Sequence, residues 1–239
     1  MRRKNQLMNI DETFFTGDCF IPNLNESCDS LMFREAIEHG KEQCLRMTLG
    51  DCLYNEMQEN LEWNETLQEY VLIDGADEKW DWLINGHSYT KDDISDQSLL
   101  YSPFDYINCG CGCLNQNCES FHWDGIIKMI DKRIPETVIN GQTVNGIQVK
   151  KSFVAYYIYW IWSLSSDSFT SSTGEQTANV KNASRISNSS KRIEAYNKFV
   201  SWVIDCNSHG KVGLYRFMQD FSNLYPEWDG KCLKYEPIW

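Results

Sequence analysis

One stretch constrains the fold of this chain more than any other. The twelve residues from Phe153 to Leu164 contain six aromatic residues, and Ser163 is the one small polar residue among them. No glycine or proline interrupts the run, so it predicts a helix of about three turns. A helix that is apolar on nearly every face must be buried on more than one side. It is shorter than the roughly 20 apolar residues that cross a bilayer. We therefore predict a central helix wrapped by the rest of the chain or by other subunits.

Helical periodicity recurs on both sides of this run. Apolar groups at helical spacing fill residues 30–62, and Leu49–Gly50 interrupts them with the glycine that is typical of a helix end. This pattern predicts two helices joined by a short turn. Residues 190–204 predict an amphipathic helix, and an apolar stripe within residues 214–224 predicts a last one.

The segment between these helices carries mixed signals. The run from His122 to Ile134 predicts a short helix that Pro135 ends. Two Asn-Gly pairs flanked by β-branched residues predict a small β-hairpin over residues 137–149. The predicted fold class is mainly α: a bundle of about four to six helices with a small β-hairpin and a long extended arm.

The domain organisation follows from the polar stretches. Residues 1–29 contain turn formers and scattered aromatics, and they predict an irregular N-terminal arm. Residues 30–239 predict one helical domain, with a cysteine-rich insertion at about 90–120. Residues 165–189 are dominated by Ser, Thr, Asn, Gln and Gly, and so long a loop is unusual inside a compact domain. We interpret it as an arm that an adjacent subunit orders, although a linker is the alternative.

Charge limits the classes of partner. The chain carries 22 basic and 34 acidic residues, a net charge of −12. Residues 1–149 hold 11 basic and 26 acidic residues (11 − 26 = −15), whereas residues 150–239 hold 11 and 8 (11 − 8 = +3). Proteins that bind nucleic acid through its phosphates need basic patches, so the net negative charge argues against nucleic-acid binding. It is compatible with a surface that DNA passes without binding.

The N-terminal residues carry positive charge, but no apolar segment follows them, and no transmembrane segment is present. No secretory signal and no membrane contact are therefore predicted. The ten cysteines are then expected to be free thiols.

The sharpest chemical motif is a cluster of cysteines. Four thiolates, or three with His122, would suit a tetrahedral zinc site. The spacing is tighter than that of common zinc knuckles, and the usual distant second pair is missing. A zinc-binding interaction module inside the cell, disulfides and a plain thiol-bearing loop all stay open. The four cysteines are Cys109, Cys111, Cys113 and Cys118.

No catalytic motif stands out, and no cofactor is predicted. The chain lacks G-x-S-x-G, H-E-x-x-H and a P-loop. The four histidines are scattered along the sequence and are predicted to be surface or loop residues. Acidic pairs such as Asp92–Asp93 are predicted to be solvent-exposed charges. We expect no enzyme, although a hydrolase is a weaker alternative.

Several short motifs, in order and over most of residues 30–206, resemble a family of virion proteins. The family comprises the small, mainly helical head-to-tail connector or ring proteins of tailed bacteriophages of Bacteroidetes, crAss-like phages included. The cysteine cluster is not part of that pattern and looks like an insertion. The matching motifs are Phe33–Ala36, Leu49–Tyr54, Lys79–Tyr89, Trp123–Ile126, Ser152–Trp160, Thr173–Gly174, Asn182–Ser184 and Ala195–Val200.

The resemblance implies a ring of subunits, commonly twelve, stacked below the portal protein. DNA would pass through the lumen without specific binding, and no catalysis is implied. Other neck and tail proteins are the expected partners. The protein would be made in the host cytoplasm and would reside in the neck or tail of the virion.

The expected function is therefore that of a structural subunit of a connector ring. Side-by-side packing of the 151–164 and 190–206 helices would close the ring, and the polar arm would reach a neighbour in a heterologous contact. The predicted subunit interface consists of Phe153, Tyr156, Tyr157, Tyr159, Trp160, Trp162, Phe169, Thr173, Gly174, Asn182, Tyr196 and Trp202.

Overall fold

A computed structural model describes most of the chain, and every structural statement below concerns its described residues. They form six α-helices and eleven short strands. The fold is mixed α/β, so the predicted mainly α bundle is wrong. The described residues are 10–16, 19–21, 27–66, 69–95, 120–132, 137–139, 142–144, 147–165, 169–171, 174–176, 189–205, 210–230 and 233–235.

The helices occupy most of the positions that periodicity predicts. In chain order they are α1 (Ser27–Leu49), α2 (Asp51–Glu59), α3 (Glu78–Asn85), α4 (Phe153–Ser165), α5 (Ser189–Ile204) and α6 (Leu214–Asp220). Gly50 separates α1 from α2 with a φ of +82°, a conformation that glycine adopts without the steric cost of a Cβ. The predicted turn at Leu49–Gly50 is therefore confirmed.

The strands are short and scattered along the chain. They are β1 (Leu61–Asn64), β2 (Glu69–Leu72), β3 (His87–Thr90), β4 (Ser120–Trp123), β5 (Ile127–Lys132), β6 (Thr137–Ile139), β7 (Gln142–Val144), β8 (Ile147–Ser152), β9 (Phe169–Ser171), β10 (Gly174–Gln176) and β11 (Lys211–Val212). The pairs β1–β2, β5–β8, β6–β7 and β9–β10 are antiparallel ribbons. A three-stranded sheet has the order β11–β4–β3, with β11 parallel to β4 and β3 antiparallel to it.

The predicted helix over residues 122–134 is the clearest local error. The described residues of that run, 122–132, form the end of β4, a short connection and the whole of β5, and β5 pairs with β8 from Ile127↔Ser152 to Lys132↔Ile147. A short apolar run fits both periodicities, and here the backbone of a distant strand supplies the hydrogen bonds. Within the β-hairpin predicted over residues 137–149, β6 and β7 pair antiparallel as expected, whereas residues 147–149 belong to β8 and pair with β5.

The core is centred on α4, as predicted. Phe153, Val154 and Ile158 are fully buried, and α4 packs between α1 and α5. Part of the predicted N-terminal arm contributes to this core: Phe14 and Phe15 are buried, and the ring of Phe15 meets that of Phe33 edge-on at 4.6 Å.

No helix in the described part of the chain has both the length and the apolar character that a membrane span requires.

Candidate functional site

The main candidate site is the aromatic surface at the C-terminal end of α4. The first two turns of α4 are buried, but the four residues from Tyr159 to Trp162 are only half-buried. Leu164, two residues after Trp162, is 47% exposed. Large apolar groups that a single chain covers incompletely are typical of protein contact surfaces. We call this set, Tyr159 to Trp162 with Leu164, the α4 collar.

The partner helix α5 supports the collar through pairs of aromatic rings packed at a tilt. Tyr157 and Trp160 lie about one turn apart on α4, and Tyr196 and Phe199 do so on α5, so the two pairs face each other. The ring centroids of Trp160 and Tyr196 are 4.8 Å apart, and those of Tyr157 and Phe199 are 5.1 Å apart. Such aromatic pairs contribute about 0.5–1.5 kcal/mol each beyond the area they bury. The collar is therefore held by a rigid helix pair.

The other side of α4 reaches α1. The rings of Trp162 and Phe33 meet edge-on with their centroids 5.6 Å apart. Ser163 turns back on its own helix and donates a hydrogen bond from Oγ to the Trp160 carbonyl oxygen at 2.7 Å. These contacts fix the orientation of Trp162 beside the core.

The twelve predicted interface residues fall into three groups. Those in the first half of α4 are buried in the core of the same chain, which leaves them little surface for a neighbour: Phe153, Tyr156 and Tyr157. Those on the rim are half-buried: Tyr159, Trp160, Trp162, Tyr196 and Trp202. Phe169 and Gly174 lie on the β9–β10 ribbon, and Thr173 and Asn182 lie outside the described residues.

The phenol groups of the collar region stay uncharged near neutral pH. Burial raises the pKa of Tyr157 to about 12, and burial also raises the pKa of Tyr159. Tyrosine ordinarily titrates near pH 10. A neutral aromatic surface loses little by desolvation when another surface covers it.

The alternative zinc site lies outside the described residues, since Cys109, Cys111, Cys113 and Cys118 are all in that part of the chain. Within the described part, no group of three or more potential metal ligands comes together. Cys44 is a buried free thiol, and burial raises its pKa well above the ordinary value, which makes it unreactive.

A second candidate site, which is polar, lies on the β11–β4–β3 sheet, and it is not among the sites predicted from the sequence. Ser88 Oγ lies 2.8 Å from Nδ1 of His122, and Nε2 of His122 lies 3.3 Å from Oδ1 of Asp124. Asp124 is buried and also contacts the ammonium groups of Lys128 and Lys211, at 2.5 and 2.6 Å. Polar and apolar residues alternate from Ser120 to Asp124, which indicates a strand with one polar face. The prediction of a helix from His122 onward concealed this pattern.

Comparisons of the chain with protein-family models, with curated proteins and with solved structures found no match.

Proposed function

We propose that this protein is a structural subunit of a ring in the neck or tail of a bacteriophage virion. The proposal rests on the sequence resemblance to connector proteins and on one structural observation, the half-buried aromatic collar at the end of α4. A helix that carries apolar residues on all sides gains stability when its remaining surface is covered. The occupant that we propose is the neighbouring copy of the same chain.

The contact between copies would be heterologous. The collar of one subunit would pack against a different surface of the next, and repetition of that contact closes a ring when the rotation between subunits divides a full turn. Twelve copies are the number that the resemblance implies. The portal protein and other neck or tail components would flank the ring.

Charge suits a channel for DNA. The net charge of −12 disfavours tight binding to phosphates, so a genome would pass without being held. Exposed carboxylates on α1, among them Glu35, Glu38 and Glu42, are available to line a lumen. In this proposal the role of the ring is geometric, and it requires no chemistry.

Native mass spectrometry of the full chain, under conditions that retain metal, tests the proposal first. The expected result is a closed oligomer near twelve copies, and the protein should also be present in purified virions. A chain that stays monomeric at high concentration and is absent from virions would contradict the proposal. Extra mass corresponding to one zinc per chain would instead support the zinc-binding alternative.

A pair of variants tests the collar. Leu164→Glu places a charge on an exposed apolar position of the collar and should abolish the oligomer while leaving the helical circular dichroism unchanged. Trp63→Glu is the matched control, because Trp63 is 43% exposed on the β1–β2 ribbon, outside the collar. Equal loss of oligomer in both variants would mean that the collar is not the specific contact.

A further inference from the structure

The β11–β4–β3 sheet presents one polar face. Ser88 and His122 are direct cross-strand partners, and Lys211 pairs with His122 from the other side. Successive side chains of a strand alternate between the two faces. Tyr89 and Trp123 are buried on the opposite face, so the polar side chains lie together on the outer one.

On this face the contacts of His122 favour one tautomer of its imidazole. Asp124 Oδ1 lies 3.3 Å from His122 Nε2, which is an ion-pair distance, and an ionised carboxylate beside Nε2 favours the tautomer that carries its proton on Nε2. The neutral imidazole then has its lone pair on Nδ1. That nitrogen accepts a hydrogen bond from the Ser88 hydroxyl at 2.8 Å. The three side chains thus form a chain from hydroxyl to imidazole to carboxylate.

Asp124 is held in the ionised state by its neighbours. Burial acts to raise its pKa, but the bonds to Lys128 and Lys211 outweigh burial, so the pKa is lowered below the ordinary value. Lys128 donates a hydrogen bond to Oδ1, whereas Lys211 approaches Oδ2 as an ion pair. The side chain of Asp124 is 2% exposed, while those of Lys128 and Lys211 are 35% and 44% exposed. One carboxylate between two ammonium groups leaves a net charge of +1 beside His122.

The backbone around Asp124 is tightly constrained. Gly86 and Gly125 both have φ near +90° and pass each other so closely that a Cβ on Gly125 would stand 2.6 Å from the Gly86 nitrogen. Trp123 donates a hydrogen bond from Nε1 to the Leu83 carbonyl oxygen at 3.1 Å. Asp124 therefore lies in a constrained connection between β4 and β5 that packs against the C-terminal end of α3, and such constraint is the condition for orienting an imidazole.

We propose that Ser88 is a nucleophile, with His122 as its general base and Asp124 as the positioning residue, and that the site hydrolyses carboxylic esters. This activity goes beyond the structural role proposed above and does not depend on ring formation. The arrangement has the roles of a Ser-His-Asp triad, with the two imidazole nitrogens exchanged relative to the serine proteases. Recognition of such a triad rests on geometry and roles rather than on sequence order.

The reaction balances with water as the second substrate. Ser88 Oγ forms a bond to the ester carbonyl carbon while His122 Nδ1 takes the hydroxyl proton, and the carbonyl π electrons move to its oxygen. When the tetrahedral intermediate collapses, the bond to the alcohol oxygen breaks and that oxygen takes the proton from Nδ1. Water then attacks the acyl group and gives a proton to Nδ1, and Ser88 recovers it as the acid leaves. The proton on Nε2 stays beside the Asp124 carboxylate throughout.

The surroundings indicate the class of ester. Ser88 is exposed and the side chain of His122 is 53% exposed, so the acyl carbon must be reachable from bulk solvent. The net positive charge from Lys128 and Lys211 favours the negative charge of the tetrahedral intermediate. It also favours esters that carry an anionic group close to the acyl carbon over neutral ones.

The first test is a fluorophosphonate probe, which bonds to an activated serine oxygen through phosphorus and releases fluoride. Peptide mapping of the labelled full-length protein should place the adduct on Ser88. Ser88→Ala should lose the adduct. Ser120→Ala is the matched control, because Ser120 is an exposed serine two residues before His122 on β4, and it should label like the wild type.

Variants of His122 and Asp124 test whether these residues activate Ser88. His122→Gln should slow labelling of Ser88 at least about 100-fold, which is the usual contribution of a general base. Asp124→Ala should also slow it, and Asp124→Glu should restore part of the rate because it returns a carboxylate. Circular dichroism of each variant distinguishes loss of Ser88 activation from loss of the fold.

Hydrolysis of p-nitrophenyl acetate provides the catalytic readout. Turnover by the wild type should exceed that by Ser88→Ala by at least about 100-fold, which is the usual contribution of general base catalysis. Equal turnover in the two proteins, or equal Ser88 labelling in folded wild type and folded His122→Gln, would overturn the proposal.

Discussion

Gly40 on α1 lies directly against Ile158 on α4. A Cβ at Gly40 would stand 2.9 Å from Ile158 Cγ1, well inside the 3.5–4.0 Å at which carbon atoms pack. The absence of a side chain at Gly40 is therefore what lets α1 approach the central helix so closely. Alanine at this position has two opposed effects, a gain of about 1 kcal/mol in helix propensity and a loss from overlap.

A double-mutant cycle separates the two effects. We predict that Gly40→Ala lowers the free energy of unfolding in the wild-type background, because Ile158 cannot move out of a packed core. In the Ile158→Ala background the overlap disappears, and the same substitution should be stabilising. The coupling measured by urea denaturation should be about 1–3 kcal/mol. Additive effects of the two substitutions would show that the helices do not meet at this residue.

The glycines Gly86 and Gly75 allow a test of backbone crowding near Asp124. Both have φ near +90°, so alanine is strained at either position. A Cβ at Gly86 would meet the Trp123 carbonyl oxygen at 2.5 Å, whereas a Cβ at Gly75 would meet nothing within 4 Å. Gly86→Ala should therefore destabilise the protein by about 1–3 kcal/mol more than Gly75→Ala. Equal thermal unfolding temperatures for the two variants would contradict the close approach of residues 86 and 123.

The sequence allowed the helices to be predicted but not the sheet. The α4 and α5 segments are long and strongly periodic, and their own residues decide their structure. The structure of β5 depends on a partner strand elsewhere in the chain, because Ile127 pairs with Ser152, 25 residues away. A single run of residues contains no information on such pairing, and for this reason the mainly α prediction failed.

The two candidate sites differ in the same way. The collar can be predicted from local composition. Four large residues in succession point in different directions around a helix, so they cannot all face the protein core. The contact between Ser88 and His122 joins residues 34 positions apart and depends on the register of β3 against β4. A shift of one residue in this pairing would turn the side chains of one strand to the other face and separate Ser88 from His122. The sequence supplied these residues, but only the strand pairing brings them together.

A buried network links Tyr89 to α6 and gives a further prediction. The Tyr89 hydroxyl donates a hydrogen bond to Asp220 Oδ2 at 2.5 Å, and Nε of Arg216 donates to the same oxygen at 2.8 Å. Tyr89→Phe removes a bond to a buried charged group and should cost about 1.5–3 kcal/mol. Tyr54→Phe is the control, because it removes a hydroxyl from another mostly buried tyrosine away from Asp220.

The pH dependence of the Tyr89→Phe variant follows from the carboxyl group. Burial raises the pKa of Asp220, and the bonds from Arg216 and Tyr89 oppose that rise. A raised folded-state pKa adds stability below the unfolded value of about 3.9, and that stability is lost as pH rises through the folded value. Without the Tyr89 hydroxyl the pKa rises further, so the variant should lose more stability at pH 7 than at pH 4. An equal loss at the two pH values, measured by urea denaturation, would contradict ionised Asp220 as the hydrogen-bond acceptor.

Asp124 should show the opposite dependence. Although burial acts to raise its pKa, Lys128 and Lys211 lower the pKa overall, so the folded state binds a proton less readily than the unfolded chain. Its contribution to stability is present above about pH 3.9 and is lost as pH falls through the folded value. Asp124→Asn should therefore cost about 1.5–3 kcal/mol at pH 7 and less at pH 3. Asp74→Asn, at an exposed turn, should cost little at either pH, and an Asp124→Asn loss that did not shrink in acid would mean that the two lysines do not stabilise the carboxylate.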